Sequence, residues 1–172
     1  MATTESLFQL YPNASAGSPF MSSSGPVIEN PQLNAEPYNR WRFAPATDSY
    51  LYFTLVFPAN YASTTGITIH IHWMSDPILT GNVYWGATAA PLTVNTIDGS
   101  APTYGTEVLT ATALPTVARA TRVTAIILAK AVYGTTLTNT PFRLRIRRYG
   151  SSATDTARTA FAEILCINIL ET

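Results

Sequence analysis

His70 and His72 are the two histidines of the chain, and their i, i+2 spacing within the run from Ile67 to Trp73 puts both imidazoles on one face of a strand. Two imidazoles are the beginning of a metal site. Zinc takes three or four protein ligands in a defined geometry, and no Cys, Asp or Glu stands in the same run to complete the set. Copies converging on a symmetry axis would have to supply the count, and hydrogen bonding at a surface or subunit interface is the preferred reading. The second chemistry-bearing run is Phe142, Arg143, Leu144, Arg145, Ile146, Arg147 and Arg148. In a strand, its period of two sends Phe142, Leu144 and Ile146 inward and Arg143, Arg145 and Arg147 outward. Like charges stacked on one sheet face repel. The stripe therefore predicts carboxylates or carbonyls facing it, from a cross-strand neighbour, an adjacent subunit or a larger assembly. With Arg148, and joined by Arg119, Arg122 and Arg158, it would also form a basic stripe for phosphates. Yet the net charge of the chain is zero and the run has no interleaved exposed aromatics, so subunit contact is preferred to nucleic acid.

Catalysis finds no support in the residue pattern. The ten acids are scattered, with Asp48, Asp76, Asp98 and Asp155 beside expected strand ends, and no pair is set to face another across a scissile bond. No serine stands in a nucleophile-elbow pattern. Cys166 is alone in the apolar run Ile164 to Leu170, which excludes an intrachain disulfide and predicts a buried structural thiol. The expectation is a non-enzyme without cofactor or metal. Trp41, Trp73, Trp85, Tyr84 and Tyr104 are candidates for stacking on sugar rings, but Trp73 and Trp85 follow alternating patterns that bury them. Tyr61, Tyr104, Tyr133 and Tyr149 fall in or near turns and stay open to a ligand.

The elements that would position these residues are strands. The chain has 172 residues, enough for one domain with a proper core, and is 47% apolar but only 12% charged. So little charge suggests surfaces covered by other subunits. Short strand-like runs separated by turn residues predict strands near 50–57, 67–74, 82–88, 92–97, 106–112, 122–130, 142–148 and 161–170, the pattern of an all-β jelly-roll-like antiparallel sandwich. Residues 50–57 are nearly all large, which predicts cover on both faces. Leu114-Pro115 marks a crossover loop, and Asp98-Gly99 a turn. Residues 1–37 form an extended irregular arm and 38–172 the sandwich domain. Pro12, Pro19, Pro26, Pro31 and Pro37 keep the arm out of helices. Its Phe8, Tyr11, Phe20, Met21 and Val27 would be wasted on a free tail, so the arm is expected to lie on a neighbour. Residues 1–118 carry two arginines against seven acids, a net of −5, and residues 119–172 a net of +5, a polarity suited to head-to-tail subunit contacts. No leader-like segment and no apolar stretch of membrane-spanning length stand in the sequence. Synthesis in a cytoplasm and no membrane partner are expected.

The pattern from about Tyr38 to Thr172 resembles virion structural proteins of tailed bacteriophages. The resembling residues are Tyr38-Asn39-Arg40-Trp41, Phe57-Pro58-Ala59-Asn60-Tyr61, the run Ile67 to Trp73 and Gly81-Asn82-Val83-Tyr84-Trp85. Phe142 to Arg148, Asp155-Thr156 and Ile169-Leu170-Glu171-Thr172 complete the set. The resemblance implies a capsid decoration, or cement, protein on the exterior of a phage head. It would bind the major capsid protein and its own copies, as a homotrimer ahead of a homodimer. The arm residues Phe8, Tyr11, Phe20, Met21 and Val27 would meet the capsid or a sibling, and Arg143, Arg145, Arg147, His70 and His72 would form a sheet-face interface. The alternative is a tail-fibre or receptor-binding head domain that meets host glycans.

Overall fold

A computed structural model describes residues 6–12, 20–21, 26–29, 32–33, 36–37, 39–57, 61, 65–75, 80–92, 102–133 and 141–172. The strands are β1 (Ser6–Leu10), β2 (Phe20–Met21), β3 (Val27–Glu29), β4 (Gln32–Leu33), β5 (Glu36–Pro37), β6 (Arg40–Phe43), β7 (Asp48–Val56), β8 (Gly66–Met74), β9 (Asn82–Pro91), β10 (Val108–Ala113), β11 (Arg122–Ala129), β12 (Pro141–Tyr149) and β13 (Ala162–Glu171). One helical turn, α1 (Lys130–Tyr133), follows β11. One sheet runs β11-β8-β13-β6-β3, with β1 also paired to β13; the other runs β10-β9-β12-β7-β2, and β4 pairs with β5 alone. From β6 to β13 the strands distribute between two four-stranded antiparallel layers in jelly-roll order. The sandwich expected from the sequence is the fold observed.

Alternation drives the layering. In β12 the even positions Phe142, Leu144, Ile146 and Arg148 are buried and the odd ones are half-exposed. In β8 the odd positions Ile67, Ile69, Ile71 and Trp73 fill the core. One end of the core holds edge-to-face aromatics, with Trp85 at 5.1 Å from Phe43 and 5.9 Å from Trp73. At the other end Phe57 is sandwiched between Tyr61 (4.2 Å) and Phe142 (4.3 Å), all three rings near parallel. Each fully buried ring of this kind contributes about 1.5–3 kcal/mol of transfer free energy.

Several expectations are corrected. Within residues 6–37, β1 pairs with β13, β2 with β7 and β3 with β6, so these segments lie on the chain's own sheets rather than on a neighbour. Phe8 turns inward: its ring is 5.9 Å from Phe57 and 6.4 Å from Phe142. Its apolar area finds a core within the same chain. Tyr11 and Val27 remain exposed, at 58% and 60%, while the side chains of Phe20 and Met21 lie outside the described residues. β7 is covered on one face only, because Tyr50, Tyr52 and Thr54 point away from the core. Leu92 ends outside a strand, and residues 93–97 and the Asp98-Gly99 turn lie outside the described residues, as do Asp76 and the Tyr133 side chain. The crossover at Leu114-Pro115 stands as expected, between β10 and β11.

Candidate functional site

The candidate site is the outer face of the five-stranded sheet, where β12 lies between β7 and β9. Register sets Arg147 between Tyr50 and Gly86, Arg145 between Tyr52 and Thr88, and Arg143 between Thr54 and Ala90. Guanidiniums and phenols therefore interleave across the face. The Arg147 Cζ lies 3.5 Å from the Tyr149 ring centroid and 5.2 Å from that of Tyr50. That of Arg145 lies 4.6 Å from the Tyr104 centroid and 5.6 Å from that of Tyr50. Tyr84 stacks on Tyr149 with ring planes 5° apart, and Tyr50 on Tyr52 with planes 18° apart.

Among the described residues, two carboxylates of the chain itself answer the stripe. Glu107 accepts from Arg147 Nη1 at 3.0 Å and from Arg145 Nη2 at 3.5 Å. It reaches them by lying across β9 at Gly86, where an added Cβ would stand 3.0 Å from the Glu107 carboxyl carbon and 2.8 Å from Leu109 Cδ2. A side chain at this position would have to push the ends of Glu107 and Leu109 aside, so glycine leaves the path open at no cost. Asp48 accepts from Arg147 Nη2 through one oxygen and from the Ser151 backbone N–H at 3.0 Å through the other. Burial raises the Asp48 carboxyl, but the Ser151 and Arg147 hydrogen bonds outweigh it and hold the group below its ordinary value of 3.8. A carboxyl depressed on folding contributes stability that is present above that value and is lost as pH falls through the folded value. Urea midpoints measured between pH 6 and pH 2 should therefore fall less steeply below pH 4 for Asp48→Asn than for the parent; parallel curves would remove Asp48 from the acid response. Burial raises the Tyr104 phenol, with Arg143 pulling it back. Burial likewise lowers Arg147, but the Asp48 hydrogen bond and Glu107 outweigh it and raise its value.

Arg148 does not join this stripe. It follows the even positions inward, is 0% exposed, and forms a bidentate pair with Asp155 at 2.9 and 3.1 Å. Its remaining donors go to the carbonyls of Ala160 (2.7 Å), Ala157 (2.9 Å) and Phe43 (3.4 Å). Parity alone places Arg148 on the core face, and Asp155 seven residues on is its natural partner; the seven-residue run held that signal. Arg122 belongs to β11 in the other sheet, and Arg119 and Arg158 are exposed in loops.

His70 and His72 are not on the arginine face. They point outward from β8 on the opposite side of the sandwich, beside Ala125 and Val123 of β11 and beside Asn168 and Cys166 of β13. Asn168 Nδ2 and His72 Nε2 are 3.3 Å apart, and burial, followed by the neighbouring His70, lowers the His72 pKa. Among the described residues, no group of three or more His, Cys, Asp or Glu is placed to hold a metal ion. Cys166 is half-buried rather than buried: the irregularity between Ile164 and Cys166 turns it to the outer face, and burial raises its thiol pKa.

The aromatic candidates divide sharply. Trp41, Trp73 and Trp85 are 0% exposed and Tyr61 only 7%, so these four offer no surface to a sugar. Tyr84, Tyr104 and Tyr149 are half-buried on the arginine face. The face was not legible as one unit because Tyr50 and Tyr52, Gly86, and Glu107 come from three separate stretches of sequence.

No family model and no curated protein matches the sequence. Among solved structures, the chain is similar to the family 30 carbohydrate-binding module of a cellulosomal cellulase of Clostridium thermocellum, with 10% identity over 97% of this chain and 96% of that one and a TM-score of 0.46.

Proposed function

We propose that this chain is a non-enzymatic structural protein of a phage particle, decorating the capsid exterior by binding the major capsid protein and its own copies. The observation that carries the reading is the arginine–tyrosine face. Arg and Tyr are the residue types enriched where proteins bind proteins, and this face presents them in a lattice whose charge is largely neutralised from within. Guanidiniums over Tyr50, Tyr104 and Tyr149 occupy ring faces, leaving N–H and O–H edges for a partner's polar groups. That favours a protein surface over a glycan, which needs free ring faces for stacking. The opposite face, with His70, His72 and the exposed Val123 and Ile127, is the surface this reading assigns to sibling copies in a homotrimer. Exposed Tyr11 and Val27 extend the contact area.

The test is imaging of purified particles carrying a labelled copy of the chain, paired with sedimentation of the free protein. Many copies spread over the shell and a trimeric free protein are expected. A few copies confined to the tail would replace this reading with the adhesion alternative, and no particle-bound copies would remove both.

A further inference from the structure

The charge on the arginine face does not balance. Among the described residues, the three outward guanidiniums of β12 meet two carboxylates: Glu107 serves Arg145 and Arg147, and Asp48 serves Arg147. Among the described residues Arg143 pairs with no acid, and its charge lies close enough to the Tyr104 phenol to pull that group's pKa down against the burial that raises it. A surplus of one positive charge is thereby placed at a defined end of the sheet. Among the described residues its register neighbours are uncharged: Thr54 on β7 and Ala90 on β9 flank Arg143, and Tyr52 lies 6.5 Å from Tyr104, ring to ring. Glu107 is held away from Arg143 by its commitment to Arg145 and Arg147, two and four positions further along the strand.

We propose that Arg143 and Tyr104 form a receiving site for a carboxylate side chain, Asp or Glu, on the protein partner of this face. The proposal rests on the protein-interface reading above and names the chemistry of the contact. A guanidinium fork matches a carboxylate through two parallel N–H···O bonds, and the adjacent phenol adds a hydroxyl donor. Desolvation at an interface strengthens such a pair relative to open water. Arg145 and Arg147 cannot serve in this way without surrendering their internal partners, so the surplus charge selects Arg143. Acidic sugars carry the same group, but they bind through ring stacking as well, and the Tyr104 ring is already covered by Arg145.

Amide and side-chain NMR titration of the whole chain tests this directly, with capped hexaglutamate, trigalacturonate and sodium chloride of matched ionic strength as probes. Hexaglutamate is expected to give saturable shifts centred on Arg143, Tyr104 and Thr54. Arg143→Gln should weaken its binding at least tenfold, Arg143→Lys should weaken it less, and Lys130→Gln should leave it unchanged. Tyr104→Phe supplies a second variant with the same expected direction should Arg143→Gln lose the fold. Absence of saturable shifts overturns the proposal, as does binding indifferent to Arg143 and Tyr104. Tighter binding of trigalacturonate than of hexaglutamate at these residues would overturn it in favour of an acidic-saccharide site. The titration uses no particle, so failure of the carboxylate site and failure of the capsid assignment are read separately.

Discussion

Asp155→Ala is expected to destabilise the fold by about 3–5 kcal/mol, a large share of the roughly 5–15 kcal/mol that holds a domain folded. Arg148 and Asp155 are both 0% exposed and joined by two hydrogen bonds. Removing the carboxylate leaves a guanidinium in the core with only backbone carbonyls to answer it, and withdraws the acceptor that the Tyr84 backbone N–H uses at 3.3 Å. A buried charge without its counter-ion is among the most destabilising defects a core can hold. Arg148→Met should be costly for a second reason. It strands the Asp155 carboxylate and leaves the carbonyls of Phe43, Ala157 and Ala160 short of a donor. The single losses should therefore not add in the Arg148→Met/Asp155→Ala double variant, whose unfolding free energy should lie above the additive expectation by about 1 kcal/mol or more. Urea unfolding followed by tryptophan fluorescence reads all three, since Trp41, Trp73 and Trp85 are wholly buried. A loss below 1 kcal/mol for Asp155→Ala would mean that the pair is not buried as described.

Removing residues 1–37 is the second large perturbation. Leu7, Phe8, Leu10 and Ile28 pack partly buried against the core. At about 1 kcal/mol for each half-buried side chain, their loss forfeits roughly 4 kcal/mol of apolar burial, part of which is returned as chain entropy. The truncation also exposes the Phe57 and Phe142 rings that Phe8 covers and strips β1 from β13 and β3 from β6. We expect a net loss of about 2–4 kcal/mol and increased binding of an apolar dye. In contrast, Tyr11→Ala and Val27→Ser, at exposed positions, should change stability by no more than about 0.5 kcal/mol. A truncated chain as stable as the parent would return residues 1–37 to the status of a detachable arm.

How far each feature could be read in advance follows from the range of the interaction that makes it. Period two is a local property of the chain, so β8, β11, β12 and β13 were legible within a residue or two, and with them the all-β sandwich. The inward set Phe142, Leu144 and Ile146 and the outward set Arg143, Arg145 and Arg147 were legible for the same reason. Arg148 was legible in principle, because parity puts it inward, but its charge argued for the surface until a buried acid was seen opposite it. Conversely, Cys166 lay in an apolar run that predicted burial, and a single irregularity in the β13 ladder turned it outward.

Sequence by itself determined the two-layer β architecture, the inward positions of the clearly alternating strands and the existence of an outward arginine stripe, since each depends only on the alternation of neighbouring side chains. Tertiary structure alone decided what the stripe meets. Glu107 and Asp48 lie about 40 and 100 residues from Arg147 along the chain, and only the sheet order that lays β12 between β7 and β9, with Gly86 clearing the path, brings them within hydrogen-bonding distance. The same order set the histidines on the opposite side of the sandwich from the arginines and folded Phe8 back onto its own core. Pairing of strands distant in sequence is a choice made by the whole chain, and no local pattern encodes it.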